Sequence, residues 1–334
     1  MALDPARAAV RAGVRQVLDD PDRATALPAG TAVVVACSGG ADSLALLAGT
    51  VFEAHARDLR VVAATIDHGL QEGAAAQAER VVTQAAALGA DETVTARVEV
   101  HAAGQGVEAA AREARYDVLA QIAQRWESPL VLLGHTRDDQ AETVLLGLTR
   151  GSGARSLAGM RRAFDVFARP LLDVPRTQTE QACRAEGLTY WEDPHNTDPV
   201  YTRARVRHRV LPVLEAELGP GVAANLARTA DQLTEDAQAL DGYADLALRA
   251  AATTDGVRLE PLAALPTAVR TRVLRRAALA AGCPPAELFR VHVRALDRLT
   301  TLPDRAAKQV QLPGHVVARC DRDTLTFHRP AVGG

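Results

Sequence analysis

Aromatic side chains are scarce in this chain: five Phe, four Tyr and two Trp make up 3% of its 334 residues. Hydrophobic residues still reach 48%, so wholesale disorder is excluded and the core has to be built from Ala, Leu and Val. Lysine is scarcer still. Lys308 is the one lysine among 38 basic residues, and it sits in Arg305-Ala306-Ala307-Lys308-Gln309 with no glycine loop before it. That excludes a Walker-type P-loop. The four cysteines, Cys37, Cys183, Cys283 and Cys320, lie far apart without a C-x-x-C pair, which argues against a zinc ribbon, an iron–sulfur cradle or a disulfide framework. No apolar run approaches the ~20 residues of a membrane span. The first 18 residues carry Asp4, Arg7, Arg11 and Arg15, so they have no signal-peptide core. A soluble, cytoplasmic protein without membrane contact is expected. Net charge is −3, which provides no global basic field, so any nucleic-acid contact must come from a local patch.

The length implies about two domains. Residues 32–37 (AVVVAC) predict a strand buried on both faces, followed by a loop over 38–40 and a helix to about His55. Strands over 59–67, 93–100 and 129–134 alternate with helices over 74–88, 107–125 and 138–149, after a first helix that Asp4-Pro5 starts and that runs to about Leu18. Such alternation implies right-handed crossovers and a parallel sheet, with active residues at the carboxyl ends of the strands. A further strand is expected within 165–172, a helix over 177–186 and a basic helix over 202–218 bent at Pro212. Gly219-Pro220-Gly221 is the best linker; beyond it come helices over 222–251 and 267–281 and a terminal hairpin around Leu312-Pro313-Gly314 and 324–328. The fold class is therefore α/β. A Rossmann-like parallel sheet with helices on both faces is expected over 1–218, and a smaller, mainly helical domain over 219–334.

The sharpest motif is Ser38-Gly39-Gly40-Ala41-Asp42-Ser43, between a buried strand and a helix. Two glycines let the backbone turn tightly, and serines with exposed amides at a helix N-terminus make an anion cradle. Asp42 would repel phosphates there unless a Mg²⁺ bridged it to them; otherwise it is a helix cap. The string resembles the PP-loop, S-G-G-x-D-S, of the N-type ATP pyrophosphatases. That resemblance implies that the loop holds the β,γ-pyrophosphate of ATP while a substrate attacks the α-phosphorus.

A second constellation, Gly134-His135-Thr136-Arg137-Asp138-Asp139-Gln140-Ala141-Glu142-Thr143, begins where the fourth strand ends. Asp139 and Glu142 fit a D-x-x-E capping box, but capping leaves His135 unexplained. Around these lie Ile66-Asp67-His68-Gly69-Leu70, the helix carrying Glu108, Arg112, Arg115 and Tyr116, and the strings Arg169-Pro170-Leu171-Leu172 and Trp191-Glu192-Asp193-Pro194. Taken in this order, the motifs resemble the tRNA(Ile)-lysidine synthase family, strongly over about 31–214 and more weakly beyond.

That resemblance implies an ATP-dependent ligase that adenylates the wobble cytidine of an isoleucine tRNA with a CAU anticodon, after which free L-lysine displaces AMP. It also implies Ser38, Gly39, Gly40, Ala41, Asp42, Ser43, Asp67 and His68 at the nucleotide. Catalysis would fall to Asp42, His135, Asp139, Arg112 and Arg115, with Asp42, Asp138 and Asp139 as Mg²⁺ ligands. Arg203, Arg205, Arg207 and Arg209, flanked by Tyr190, Trp191 and Tyr201, make a candidate tRNA surface, although a charge run is usually a solvated face. A homodimer is allowed. The rival readings are another PP-loop tRNA-modifying enzyme of the thiolase type, which usually needs paired cysteines, and an ATP-binding module without turnover.

Overall fold

The computed structural model describes residues 4–21, 27–67, 74–98, 107–151, 154–193, 197–302 and 307–329. Helix α1 (Pro5–Leu18) is started by Asp4, whose carboxylate accepts from the amides of Ala6 and Arg7. Strand β1 (Ala32–Ala36) leads into α2 (Ala41–His55), and β2 (Arg60–Asp67), α3 (Ala74–Leu88), β3 (Glu92–Arg97) and α4 (Val107–Arg125) continue the alternation. After β4 (Val131–Leu133) come α5 (Arg137–Arg150), the short α6 (Ala154–Leu157), the hairpin of β5 (Ala163–Phe164) and β6 (Phe167–Ala168), and α7 (Arg176–Ala185). The strands form one sheet in the order β3-β2-β1-β4-β6-β5, parallel except for the β5 to β6 pairing.

Alternate residues of the strands feed two cores, as a sheet covered on both faces requires. Val33, Val35, Val61, Ala63 and Leu132 pack with α1, α2, α3 and α7. Ala32, Val34, Val62, Val131 and Leu133 pack with Leu119, Ile122 and Ala123 of α4. The expected fold class holds for this part of the chain. Strand order reverses between β1 and β4, and in open α/β sheets the crevice at such a point is where ligands bind. Both sequence motifs follow those two strands.

The basic segment is a composite: α8 (Thr202–Arg205), one π-helical turn over Val206–Val210, and α9 (Leu211–Leu218). Pro212 has no amide to donate, and the turn before it widens so that the Leu211 amide reaches back to the Val206 carbonyl. Gly219 and Gly221, both at positive φ, separate α9 from α10 (Val222–Ala251). The two compact units of the chain divide not at these glycines but inside α10, as 1–233 and 234–334. The first turns of α10 belong to the first unit because Ala223 and Leu226 pack on Ala141, Val206 and Leu211 and Asp231 pairs with Arg162 at 2.7 Å.

The second unit adds β7 (Gly256–Arg258), α11 (Leu259–Ala263), α12 (Thr267–Ala280), α13 (Arg290–Thr301), β8 (Gln309–Leu312), β9 (Val316–Asp321) and β10 (Thr324–His328). The expected terminal hairpin is part of a four-stranded antiparallel sheet, β7-β10-β9-β8. Leu259, Leu262, Leu274, Leu296 and Leu325 are its fully buried centre. Helix α13, absent from the sequence reading, shows its signal in Val293, Leu296 and Leu299 at three-residue spacing, all buried. No helix among the described residues is long and apolar enough to cross a membrane.

Candidate functional site

The loop after β1 is shaped by Ser43. Its hydroxyl donates to the Gly40 carbonyl at 2.9 Å and accepts from the Ser38 amide at 3.2 Å, which closes the turn on itself. Gly39 stands at φ +84, and a Cβ there would come within 2.7 Å of the Val81 side chain. Ser38 is exposed, and Gly40 begins the 15-residue α2 without any side-chain cap. The first amides of α2 are left free for an anion, with the helix dipole behind them. Gly134, at the end of β4, passes close to this loop: a Cβ on it would lie 3.1 Å from the Ser43 amide nitrogen and Cα. Gly39→Ala is therefore expected to remove most ATP binding, by calorimetry, while the α/β circular-dichroism signature stays. Left-handed backbone costs a residue with a Cβ roughly 1–2 kcal/mol.

Asp42 and Asp139, read separately from the sequence, are joined by a residue that the sequence did not single out. Arg176, at the start of α7, donates from Nε to Asp42 Oδ2 at 3.1 Å and from Nη2 to Asp139 Oδ1 at 3.0 Å. Its Nη1 lies 3.7 Å from Glu142 Oε1. Thr179, one turn on, donates to Asp42 Oδ1. Asp139 serves two masters. Its Oδ2 accepts from the Thr136 amide and hydroxyl, at 2.8 and 3.0 Å, and caps α5, while Oδ1 faces the arginines. Glu142, fully buried, takes Arg203 Nε at 2.7 Å and Arg207 Nε at 2.6 Å. Arg207 Nη2 also reaches Asp139 Oδ1 at 3.1 Å.

Burial alone would raise the Asp139 carboxyl, but Arg176, Arg203 and His135 outweigh it and hold the group well below its ordinary range. Asp42 goes the other way: burial raises it, and its Arg176 is shared with two other carboxylates. Arg176 is held firmly protonated; burial works against its charge, and Asp139, Asp42 and Glu142 more than compensate.

His135 belongs to a different neighbourhood. Arg169, buried, donates from Nε to His135 Nδ1 at 3.2 Å and from Nη2 to the Tyr116 hydroxyl at 2.9 Å. Burial pushes the His135 imidazole down to about 3, against the pull of Asp139 and with the help of Arg169, Arg115 and Arg203. Arg112 stacks over the Tyr116 ring at 5.9 Å, and Arg115 is lowered chiefly by burial, with Arg112 and Arg203 adding repulsion. Neither Arg112 nor Arg115 has a carboxylate partner among the described residues. The corner around His135 is thus rich in cations, while the corner around Glu142 is balanced.

The expected metal set does not fit a metal held by the protein alone. Asp138 Oδ2 accepts from the Arg176 amide at 2.8 Å and so caps α7, Asp139 is fully engaged, and both Asp42 oxygens take protein donors. No cluster of three metal-ligating side chains occurs among the described residues. The Asp67 side chain and His68 lie outside the described residues, as does the side chain of Glu108.

The four arginines expected at a tRNA surface do different things. Arg203 and Arg207 point at Glu142, Arg205 donates to the carbonyls of Pro199 and Val200, and Arg209 is exposed. Position i to i+4 predicts that Arg203 and Arg207 share a face, but what that face meets is a tertiary matter. In the second unit, Arg270 binds Asp297, Arg272 binds Asp241, and Arg276 binds Asp241 and Asp245. Its open basic face is instead on α13, where Arg290, Arg294 and Arg298 are all exposed at four-residue intervals.

With this geometry in view, the comparisons are direct. A PP-loop domain matches residues 12–214, and a TilS substrate binding domain matches residues 258–326. The tRNA(Ile)-lysidine synthase of Thermobifida fusca is 52% identical over 93% of this chain and 94% of its own length. That of Streptomyces coelicolor is 48% identical over 96% of this chain and 97% of its own. Among solved structures, a U34-tRNA thiolase, NcsA from Methanococcus maripaludis with its [4Fe-4S] cluster, superposes with a TM-score of 0.57 at 17% identity, over 69% of this chain and 80% of that one, a likeness of fold. A switch in strand order between β1 and β4, a lysine-free phosphate loop and identity of about half over nearly the whole length converge: the chain belongs to the tRNA(Ile)-lysidine synthases.

Proposed function

We propose that this protein adenylates the wobble cytidine of an isoleucine tRNA with a CAU anticodon and joins L-lysine to C2, releasing pyrophosphate and then AMP. The observation that carries this is the pairing of an uncapped helix N-terminus at the Ser38 to Ser43 loop with the cation-rich corner around His135, at the carboxyl ends of the neighbouring strands β1 and β4. In the first step the C2 carbonyl oxygen of cytidine attacks the α-phosphorus of ATP, and the bond to pyrophosphate breaks. The amides of α2 and the Ser38 hydroxyl hold the departing phosphates, and Arg112 and Arg115 offset the charge that builds on the α-phosphoryl oxygens. In the second step the lysine amine takes the place of AMP on C2 and gives up a proton. Of the three carboxylates expected to hold Mg²⁺, Asp42 alone suits an ion carried in on ATP, since one carboxylate plus phosphate oxygens satisfies magnesium. A thiolase reading has little support in the cysteines. All four are free and buried, burial raises the Cys37 and Cys283 thiols, and it pushes Cys183 up to about 12, so none is a ready thiolate. The reaction would place the protein in the cytoplasm.

Incubation with ATP, lysine and bulk bacterial tRNA should produce AMP, pyrophosphate and lysine bound to RNA. Formation of ADP, or no turnover, would overturn the proposal.

Docking of tRNA falls to exposed arginines: Arg209, and Arg290, Arg294 and Arg298 on α13, of which Arg294 also lies 3.7 Å from Asp297. Each phosphate contact contributes about −0.7 to −0.9 to the slope of log K against log salt. Changing the three α13 arginines to Gln together should flatten that slope by roughly two to three, with ATP binding unaffected. An unchanged slope across a salt series would remove α13 from the RNA surface.

A further inference from the structure

A guanidinium can donate hydrogen bonds and can do nothing else: it has five N–H groups, no acceptor, and does not lose its proton in proteins. The contact of Arg169 Nε with His135 Nδ1 at 3.2 Å therefore requires a lone pair on Nδ1. A neutral imidazole with a lone pair on Nδ1 carries its hydrogen on Nε2. We propose that Arg169 is the positioning residue that fixes His135 as the neutral, Nε2-protonated imidazole, so that His135 serves adenylation as a hydrogen-bond donor to an anionic phosphoryl oxygen and not as a base.

Three further observations support this. First, Arg169 is not free to swing away. It is buried, its Nη1 donates to the Arg161 carbonyl, its Nη2 donates to Tyr116 at 2.9 Å, and its guanidinium lies 4.8 Å from the Phe164 ring centre. Tyr116 is itself held edge-on to Phe164 and Phe167, at 5.7 and 5.1 Å. Secondly, the charged groups acting on His135 come from four separate parts of the fold: Asp139 from α5, Arg169 from beyond β6, Arg115 from α4 and Arg203 from α8. One anion stands against three cations, and that anion is already bound by Arg176 and Arg207, so an imidazolium is disfavoured. Thirdly, the His135 ring makes no other hydrogen bond among the described residues, its backbone amide alone donating to the Leu133 carbonyl, which leaves Nε2–H to a ligand.

The chemistry needs no base at this step. The carbonyl oxygen that attacks phosphorus carries no proton, so the electron balance closes with the P–O bond to pyrophosphate as the one broken. What does change is charge on the α-phosphoryl oxygens, and a fixed N–H donor meets that change. The proposal deepens the adenylation reading of the crevice, but its spectroscopic arm does not depend on that reading.

The test uses the full-length protein with ¹⁵N-labelled histidine, the His135 signals being identified among nine histidines by their loss in His135→Gln. A protonated Nε2 and an unprotonated Nδ1, unchanged between about pH 5 and 8 where an ordinary histidine titrates, are expected. In Arg169→Met the tautomers should mix and titration should return to that range, with kcat for AMP formation down about tenfold or more and the KM for ATP little changed. Turnover supplies a second arm that survives misfolding of the Arg169 variant. The amide of His135→Gln still donates, so it should stay within about tenfold of the parent, whereas His135→Ala should fall a hundredfold or more. An Nδ1–H tautomer or an imidazolium in the parent protein would overturn the proposal. So would an unchanged His135 spectrum in folded Arg169→Met, or a Gln variant as inactive as Ala. If the spectra hold and no AMP forms from tRNA, the adenylation reading fails and the tautomer assignment stands.

Discussion

Asp42→Asn is expected to lower kcat for AMP formation by about a thousandfold, the size of a lost preorganised charge in a reaction centre. The carboxylate lies between the phosphate loop and α7, bound to Arg176 and Thr179. Asn keeps its size but cannot neutralise Arg176 or meet a cation arriving on ATP. Folding should suffer less than catalysis. Arg176 retains Asp139 at 3.0 Å, so the loss should stay near the ~1.5–3 kcal/mol of one charged hydrogen bond. Burial already raises the Asp42 carboxyl, and a group raised in the folded state favours folding at low pH, so its removal should cost most there and least at high pH, where the ionised group is penalised by burial. Pyrophosphate release at saturating Mg²⁺, followed beside a thermal melt, checks both halves. Turnover within tenfold of the parent would remove Asp42 from the chemistry.

Glu142→Ala is expected to cost about 3–5 kcal/mol of folding stability, the range for taking one partner out of a buried ion pair. Glu142 is 0% exposed and is met by Arg203 and Arg207, with Arg176 nearby. Without it, two or three guanidinium groups share the one Asp139 carboxylate. Urea unfolding at high and low salt measures the effect, and salt should change it little, because buried pairs are poorly screened. A loss below 1 kcal/mol would mean that water replaces Glu142.

The same region gives the pH dependence its sign. Asp139 is held below its ordinary range, so its contribution is present above about pH 4 and is lost as pH falls toward the folded-state value. His135 is lowered to about 3. Below about pH 6.5 the unfolded chain takes up a proton that the folded one refuses. Stability should therefore decline from about pH 6.5 downward, and His135→Gln should remove the part of that decline between pH 6.5 and 3. Unfolding free energies of parent and variant across that range give the comparison.

The α/β alternation could be read along the chain because each cue is short-range. Apolar runs, a Pro after Asp4 and the glycines just past α3, α5, α7 and α9 act within a few residues, and the helices over Ala74–Leu88, Val107–Arg125 and Val222–Ala251 fall where periodicity puts them. The phosphate loop could be read for the same reason: six contiguous residues carry the turn, the amides and the hydroxyls. Arg176 could not. It stands 134 residues from Asp42 in a segment with no motif, and only the packing of α7 against α2 brings the two together. The basic segment shows the same limit from the other side. Its four arginines look alike in sequence, but a helix face acquires meaning from what it packs against, and Glu142 claims Arg203 and Arg207 while Arg209 stays in solvent. The tautomer of His135 is likewise invisible in the string Gly134-His135-Thr136, because it is set by Arg169, a donor 34 residues on, just past β6. Local chemistry placed the loop and the helices. Which charges face each other across the crevice depends on contacts between residues far apart in the chain, and no spacing rule reaches that distance.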